Sequence, residues 1–434
     1  MGTYYLWTVG CQMNVADSER LGAHLESLGH TPSPTAEAAD IVVVNSCVVR
    51  QHAEDRVANK LHSLRPIKAA RPDQVVALMG CMVGPRTEEL KKRFPHVDVF
   101  MRPQVYAPLL ELVLERATGD GCLPTGQAGL PTEFTVPVTG ATAFIPIIHG
   151  CDNFCTFCIV PYRRGRERSR PIDDVVREID GLVQRGVKEV TLLGQKVDSY
   201  GLDFEDGTDL ADLLTAVNRV DGLERIRFLT SFPLGVTDKL IGAVARLDKV
   251  CEHINIPVQS GDNAVLERMQ RGYSIETYRD RIRRIREGIP SVTLSTDVIV
   301  GFCGETEQEF RRTLDLLEET RFDVVHVAAY SVRQGTIAAR TLPDDVTLEE
   351  KKERLKRVEA LQENIAREIH AALLGQETEV LVEGQKDGRW EGRSRTNILV
   401  HFAASALDLR GELVTVKVEA TSPWSLLGEL VAVG

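Results

Sequence analysis

Three short apolar runs near the start of the chain each end at a cysteine, and this repetition restricts the fold more than any other feature. Residues 4–9 lead into Gly10 and Cys11, 41–44 into Asn45, Ser46 and Cys47, and 75–78 into Met79, Gly80 and Cys81. The cysteines stand 36 and then 34 positions apart, about the length of a strand, a helix and the return to a second strand. Helical segments fit between them at 16–28 and 54–64. Repeated strand-then-helix units imply a parallel sheet covered by helices, and such sheets bind ligands at the carboxyl ends of their strands. All three cysteines fall at those ends, so the fold itself would gather them. The alternatives are small buried thiols and a tetrahedral zinc site, which wants a fourth protein ligand. No histidine recurs at an equivalent strand end.

A second set of thiols is local. The stretch HGCDNFCTFCIVPYRRGRERSRP places Cys151, Cys155 and Cys158 in the spacing C-x3-C-x2-C. Three thiolates this close hold a soft metal or a cluster and leave one coordination position without a cysteine. That open position is the candidate reactive centre; for zinc, His149 would be the nearest fourth ligand. Around it, strand candidates at 144–148, 189–193, 225–230, 253–257, 292–300 and 324–330 alternate with helices, among them 172–185, 264–269, 275–287, 306–320 and 348–370. Six such units predict a partial (β/α)6 barrel of the TIM type, whose chemistry sits at the carboxyl ends of the strands. The triplet follows the first of them.

The length of 434 residues implies two or three domains. A formal net charge of −11 means that nucleic-acid binding must come from local basic patches. The arginines Arg163, Arg164, Arg166, Arg168 and Arg170 form one beside the cysteine triplet, where their planar forks suit phosphates. Arg281, Arg283, Arg284 and Arg286 read as ion-pairing residues of a helix. Nine cysteines in a chain without a secretory pattern argue against a disulfide framework; Cys122, Cys251 and Cys303 have no assigned role. No apolar run is long enough to span a bilayer, and the expected location is the cytoplasm. Gly, Pro and Thr mark a linker at 126–139. From 371 onward, short alternating strands at 378–383, 389–392, 397–402, 413–420 and 430–433 predict a small OB-like barrel, with Arg389, Arg393 and Arg395 as its basic surface.

The residues just quoted resemble the radical S-adenosylmethionine methylthiotransferase family, MiaB type. Besides the cysteine stretch, the resemblance rests on VGCQMN (9–14), GQKVDSYG (194–201), PVQSGDNAVLERMQRGY (257–273) and STDVIVGFCGET (295–306). At the C-terminus, VLVEG, EGRSRTNILVHF and GELVTVKVEA resemble the TRAM domain, an RNA-binding module. The resemblance implies an α/β chain with a flavodoxin-like N-terminal domain (1–125) holding an auxiliary cluster, a radical core (140–370) and a TRAM barrel (371–434). It implies two [4Fe-4S] clusters, one on Cys11, Cys47 and Cys81 and one on Cys151, Cys155 and Cys158, with S-adenosyl-L-methionine at the second. Phe157, Gln259, Ser260, Asp297, Ile299 and Gly301 would line that cofactor.

The implied activity is 2-methylthiolation of an N6-dimethylallyladenosine beside the anticodon. Its partners would be the tRNA anticodon stem-loop, an electron donor and a sulfur source. A sister reading changes the substrate to a threonylcarbamoyladenosine or an aspartate of a ribosomal protein. A different-class reading is a non-catalytic, metal-stabilised RNA-binding protein. Three positions depart from the family pattern: Lys196 stands where Asn is usual, Phe232 where His is usual, and Cys303 where Pro is usual.

Overall fold

The computed structural model describes residues 2–48, 51–118, 140–404 and 408–434. The expected linker at 126–139 and Cys122 lie outside the described residues. Two compact units emerge. One holds the described part of Met1–Pro137 with His149–Asp152 and Ile159–Arg166; the other holds Val138–Ile148, Asn153–Cys158 and Glu167–Gly434.

In the first unit five parallel strands run Thr3–Thr8, Thr31–Pro32, Ile41–Ser46, Val75–Gly80 and Val99–Met101. Numbered in chain order they pair 2-1-3-4-5. This is the flavodoxin-like order, in which the connection reverses between the first and third strands and opens a crevice at their carboxyl ends. Ile41–Ser46 and Val75–Gly80 are buried along their whole length, as central strands covered on both faces must be. Tyr4, Ile41, Val43, Val75 and Ala77 pack against Leu21 and Leu25 of the helix Gln12–Ser27 and against Leu109 and Val113 of Ala107–Thr118. Val42, Val44, Val76 and Leu78 face Val57, Leu61 and Leu64 of the helix Gln51–Ala70. The strand Val99–Met101 and the helix Ala107–Thr118 were not among the expected elements; three residues are too few for a strand period to register.

In the second unit six strands, Thr142–Pro146, Glu189–Leu193, Arg225–Phe228, His253–Asn255, Thr293–Val300 and Val324–Ala329, form two three-stranded parallel sheets in chain order. Main-chain hydrogen bonds from Cys251 N to Ile226 O (2.9 Å) and from Ser231 N to Asn255 O (3.0 Å) join them into one wall. This is the expected partial barrel. Its first strand begins two residues earlier than the reading of 144–148. The helices Leu210–Val217 and Asp238–Arg246 follow the second and third strands, as the alternation of strands and helices requires, although their bounds were not read from the sequence.

Residues 377–433 make a closed five-stranded barrel around Val380, Val400, Phe402, Val414 and Val416. It docks against the amino ends of the wall strands. Arg227, almost fully buried, donates to Glu189 Oε1 (2.8 Å) and to the carbonyls of Ser394 and Arg395 (both 2.7 Å). Arg225 reaches Arg393 O (2.7 Å) and Glu379 Oε1 (2.6 Å), and Thr293 Oγ1 reaches Thr396 O (2.9 Å). The turn at 393–396 thus closes the end of the wall opposite the carboxyl ends. Arg395 pairs with Glu252 at 2.8 Å and Arg393 stands 3.6 Å from Glu383, so neither is free basic surface as expected. Removing one partner of a buried ion pair costs about 3–5 kcal/mol. Arg227→Leu is therefore expected to lower the thermal unfolding midpoint and to speed protease release of the C-terminal barrel. Wild-type behaviour in both assays would show that the docking does not depend on this side chain.

Candidate active site

Register builds the first set of thiols. Asn45 pairs with Met79 and Ser46 with Gly80, so the next residues, Cys47 and Cys81, emerge side by side; Cys81 N donates to Ser46 O at 2.9 Å. Both are buried. Thr8 pairs with Asn45 on the other side, and Cys11 follows as the exposed N-cap of the helix Gln12–Ser27. A buried amide pair locks this corner. Asn14 Nδ2 donates to Asn45 Oδ1 (3.1 Å) and Ser46 O (2.8 Å), while Asn45 Nδ2 donates to Asn14 O (2.8 Å) and Ser18 Oγ (2.9 Å). Gly80 has φ +99°, and a Cβ there would stand 2.4 Å from Asn45 Oδ1.

The arginines of the run differ in exposure. Arg164, expected to meet RNA, has its side chain only 3% exposed and donates to Asp17 Oδ2 at 3.0 Å; Asp17 is fully buried. Its Nη1 is buried without a hydrogen-bond partner. Burial would lower the pKa of this guanidinium, but Asp17 and the Cys81 and Cys11 sulfurs more than offset it. The Cys81 thiol is pushed up by burial and drawn back by Arg164. Arg164 thus lies beside Cys81, ion-paired with Asp17, within the first unit. Arg170 is committed too, to Glu178 (2.6 Å) and Pro146 O (2.9 Å). Arg166 and Arg168 are exposed, Arg166 lying 3.0 Å from Asp152, and Arg163 is half-buried.

Cys151 belongs with the first unit, where its N–H donates to Gly165 O at 3.1 Å. Gly150 has φ +78°, and a Cβ there would fall 2.0 Å from Arg166 O. His149 Nδ1 lies 2.6 Å from Gln104 Nε2, so that nitrogen is already engaged. In the second unit, Cys158 N donates to Cys155 O at 3.0 Å. Buried Thr156 anchors the loop, with its N–H on Met269 O (3.0 Å), its Oγ1 on Arg268 O (2.9 Å) and its carbonyl accepting from Ala338 N (2.8 Å). Cys155 Sγ accepts from Arg271 Nη1 at 3.3 Å. Arg271 also donates to Pro257 O and Tyr273 Oη, each at 3.2 Å. Neither Thr156 nor Arg271 was among the predicted site residues, although Arg271 lies inside the quoted string PVQSGDNAVLERMQRGY.

Among the described residues no three His, Cys, Asp or Glu side chains gather as a single ion requires. The fit to a cluster rests on donor chemistry: two sets of three cysteines, and a buried guanidinium beside Cys81 in one and Cys155 in the other.

The expected cofactor residues separate into two groups. Phe157 and Ile299 pack against one apolar cluster with Phe302 and Met269. Asp297 and Ile299 share the half-buried face of their strand, and Asp297 Oδ2 accepts from Asn255 Nδ2 at 3.2 Å. Gln259 adopts φ +71° and bridges to Val298, a strained backbone of the kind found at ligand sites. Ser260 instead is fully buried with its Oγ 3.4 Å from Thr313 Oγ1, because the turn points it at the helix Glu307–Thr320. Gly301 answers to packing: a Cβ there would lie 2.3 Å from Lys351 Cγ, and its N–H donates to Glu305 Oε2 at 2.6 Å. Cys303 is buried in the same apolar cluster as Phe157.

Comparison with known proteins now adds the family. Residues 3–102 match the family described as "Uncharacterized protein family UPF0004", 145–317 the radical SAM superfamily and 371–431 the TRAM domain. A tRNA-2-methylthio-N6-dimethylallyladenosine synthase of Dehalococcoides mccartyi strain CBDB1 is 47% identical over 99% of both chains. The chain belongs to that synthase family. A synthase of the same name from Chloroflexus aurantiacus is 48% identical over 98% of this chain and 91% of its own length. Among solved structures, the radical S-adenosylmethionine methyltransferase TsrM of Kitasatospora setae, with cobalamin and a [4Fe-4S] cluster bound, shares the fold. Its TM-score is 0.57 at 14% identity, over 90% of this chain and 80% of that one.

One family string carries a titrating group. Asp198, in GQKVDSYG, is nearly buried and accepts from Phe232 N at 2.6 Å. Burial raises its pKa from 3.8 to about 7, against the opposing pull of that N–H and of Lys196. The folded chain therefore holds this proton more tightly than the unfolded chain, and stability falls as pH rises between those two values. Asp198→Asn keeps the acceptor and removes the charge. It is expected to flatten the pH dependence of the urea midpoint across that window; a slope equal to wild type would contradict the assignment.

Proposed function

We infer that this chain is a radical S-adenosylmethionine transferase that adds a methylthio group to C2 of an N6-dimethylallylated adenosine in tRNA. The observation that carries the reading is full-length similarity to synthases of that name in a chain that brings Cys11, Cys47 and Cys81 to neighbouring strand ends. Its cofactors are S-adenosylmethionine and [4Fe-4S] clusters. When bound and reduced, the cluster with S-adenosylmethionine supplies the one-electron chemistry that opens an unactivated C–H bond.

Cys151, Cys155 and Cys158 would hold the radical cluster that works with S-adenosylmethionine. Phe157 and Ile299 offer the apolar wall for its adenine, and Asp297 and Gln259 the polar edge. Cys11, Cys47 and Cys81 hold the auxiliary cluster that carries sulfur, with Arg164 balancing its charge. Arg166 and Arg168, exposed on the cysteine loop, meet phosphates of the anticodon stem-loop, and the TRAM barrel adds a second grip. The reaction also requires an electron donor and a sulfur source, and its substrate places the protein in the cytoplasm. No helix among the described residues is long and apolar enough to cross a membrane.

Mass spectrometry of digested tRNA from cells with and without this chain tests the substrate. Loss of the 2-methylthio derivative, with accumulation of N6-dimethylallyladenosine, is expected. Unchanged tRNA would remove the reading, and loss of a methylthiolated threonylcarbamoyladenosine instead would reassign the substrate. Cys155→Ala should also abolish 5′-deoxyadenosine formation in vitro.

A further inference from the structure

Lys196 and Phe232 meet in space near Arg271, which contacts Cys155. Lys196 Nζ stands over the Phe232 ring, 5.3 Å from its centroid, and the Arg271 guanidinium carbon stands over the same ring at 4.9 Å. Arg271 also lies over Tyr273 at 5.4 Å, and Tyr273 meets Phe232 edge-on with centroids 5.4 Å apart. The two cations are thereby attached to one quadrupole, whose negative face attracts each of them. Glu167 lies 3.8 Å from Lys196.

Each part is held. Asp198 accepts the Phe232 N–H and so fixes the ring's backbone. Pro257 O and Tyr273 Oη take two donors of Arg271, which is only 8% exposed. The remaining Nη1 faces Cys155 Sγ at 3.3 Å. A histidine at 232 would put an ionisable ring between a lysine and an arginine. Phenylalanine carries no such charge and offers its ring to both cations.

We propose that Lys196 and Phe232 form one coupled positioning unit that presses Arg271 onto Cys155, making Arg271 the residue that sets the electron affinity of the cluster Cys155 would hold. This rests on the reading of Cys155 as a cluster ligand. A guanidinium hydrogen bond and positive charge at a ligand sulfur stabilise the more negative, reduced form, and hydrogen bonds to sulfur are among the levers that set cluster potentials.

The test is a double-mutant cycle in the full chain carrying Cys11→Ala, Cys47→Ala and Cys81→Ala, so that one cluster reports. The background, Phe232→His, Lys196→Asn, the double variant and Arg271→Lys are reconstituted, and midpoint potentials are read by EPR-monitored redox titration. Phe232→His and Arg271→Lys are each expected to lower the reduced-to-oxidised ratio about tenfold at the background midpoint, a shift of about 59 mV to more negative values for a one-electron couple. The double variant should recover most of the Phe232→His loss. Thermal unfolding of the same set without iron should show the same non-additivity. Unchanged potentials in all variants, or strictly additive effects, would overturn the proposal. Cys155→Ala in the same background separates the two claims. Loss of iron with unchanged Phe232→His and Arg271→Lys potentials sinks the positioning unit alone, whereas retained iron sinks the ligand assignment on which it rests.

Discussion

The parallel register that sets Ser46 opposite Gly80 and Asn45 between Thr8 and Met79 determines what the first unit can do. Strands locked this way must deliver their next residues to one edge of the sheet. Those residues include Cys47 and Cys81, with Cys11 at the start of the helix that leaves the neighbouring strand. Once the strands have paired, no further loop has to be closed to bring Cys47 and Cys81 together, so the closure entropy is that of the sheet itself. The amide pair Asn14–Asn45 then fixes the crevice between first and third strands, where a flavodoxin-like order leaves room for a ligand.

Charge is the second organising term. Three thiolates and an iron–sulfur core would make a concentrated negative site, and the chain places a buried guanidinium beside Cys81 and beside Cys155. Arg164 is anchored by Asp17, and Arg271 by Tyr273 and Pro257 O. Burying an arginine is costly without a partner, and each carries its partners with it. The polar contacts between Arg225, Arg227 and the turn at 393–396 serve a different end. They tie the C-terminal barrel to the amino ends of the wall strands, leaving the carboxyl ends to the chemistry.

Much of this was legible in the sequence because it depends on period and spacing. The apolar runs before Cys11, Cys47 and Cys81 announced strands, the intervals between them announced helices, and the fold then dictated where the thiols go. The partial barrel and the small C-terminal barrel were readable in the same way. The arginine run was misread in part, because composition cannot distinguish a solvated arginine from one buried against a carboxylate 147 positions earlier. Ser260 and Gly301 sit in motif strings, yet their environments belong to Thr313 and Lys351, which only the tertiary structure brings near. Arg271 was invisible for the complementary reason: nothing local marks a residue whose partners are Cys155 and Phe232.

Two separately held clusters are the central claim, and iron content tests it most directly. Iron and sulfide are measured per chain after anaerobic reconstitution, for wild type and for Cys47→Ala. With about four irons per cluster, wild type is predicted to hold about eight. Cys47→Ala should hold about four, still form 5′-deoxyadenosine and no longer methylthiolate tRNA. A wild-type chain that takes up only about four irons, or one that binds zinc alone, would contradict the account.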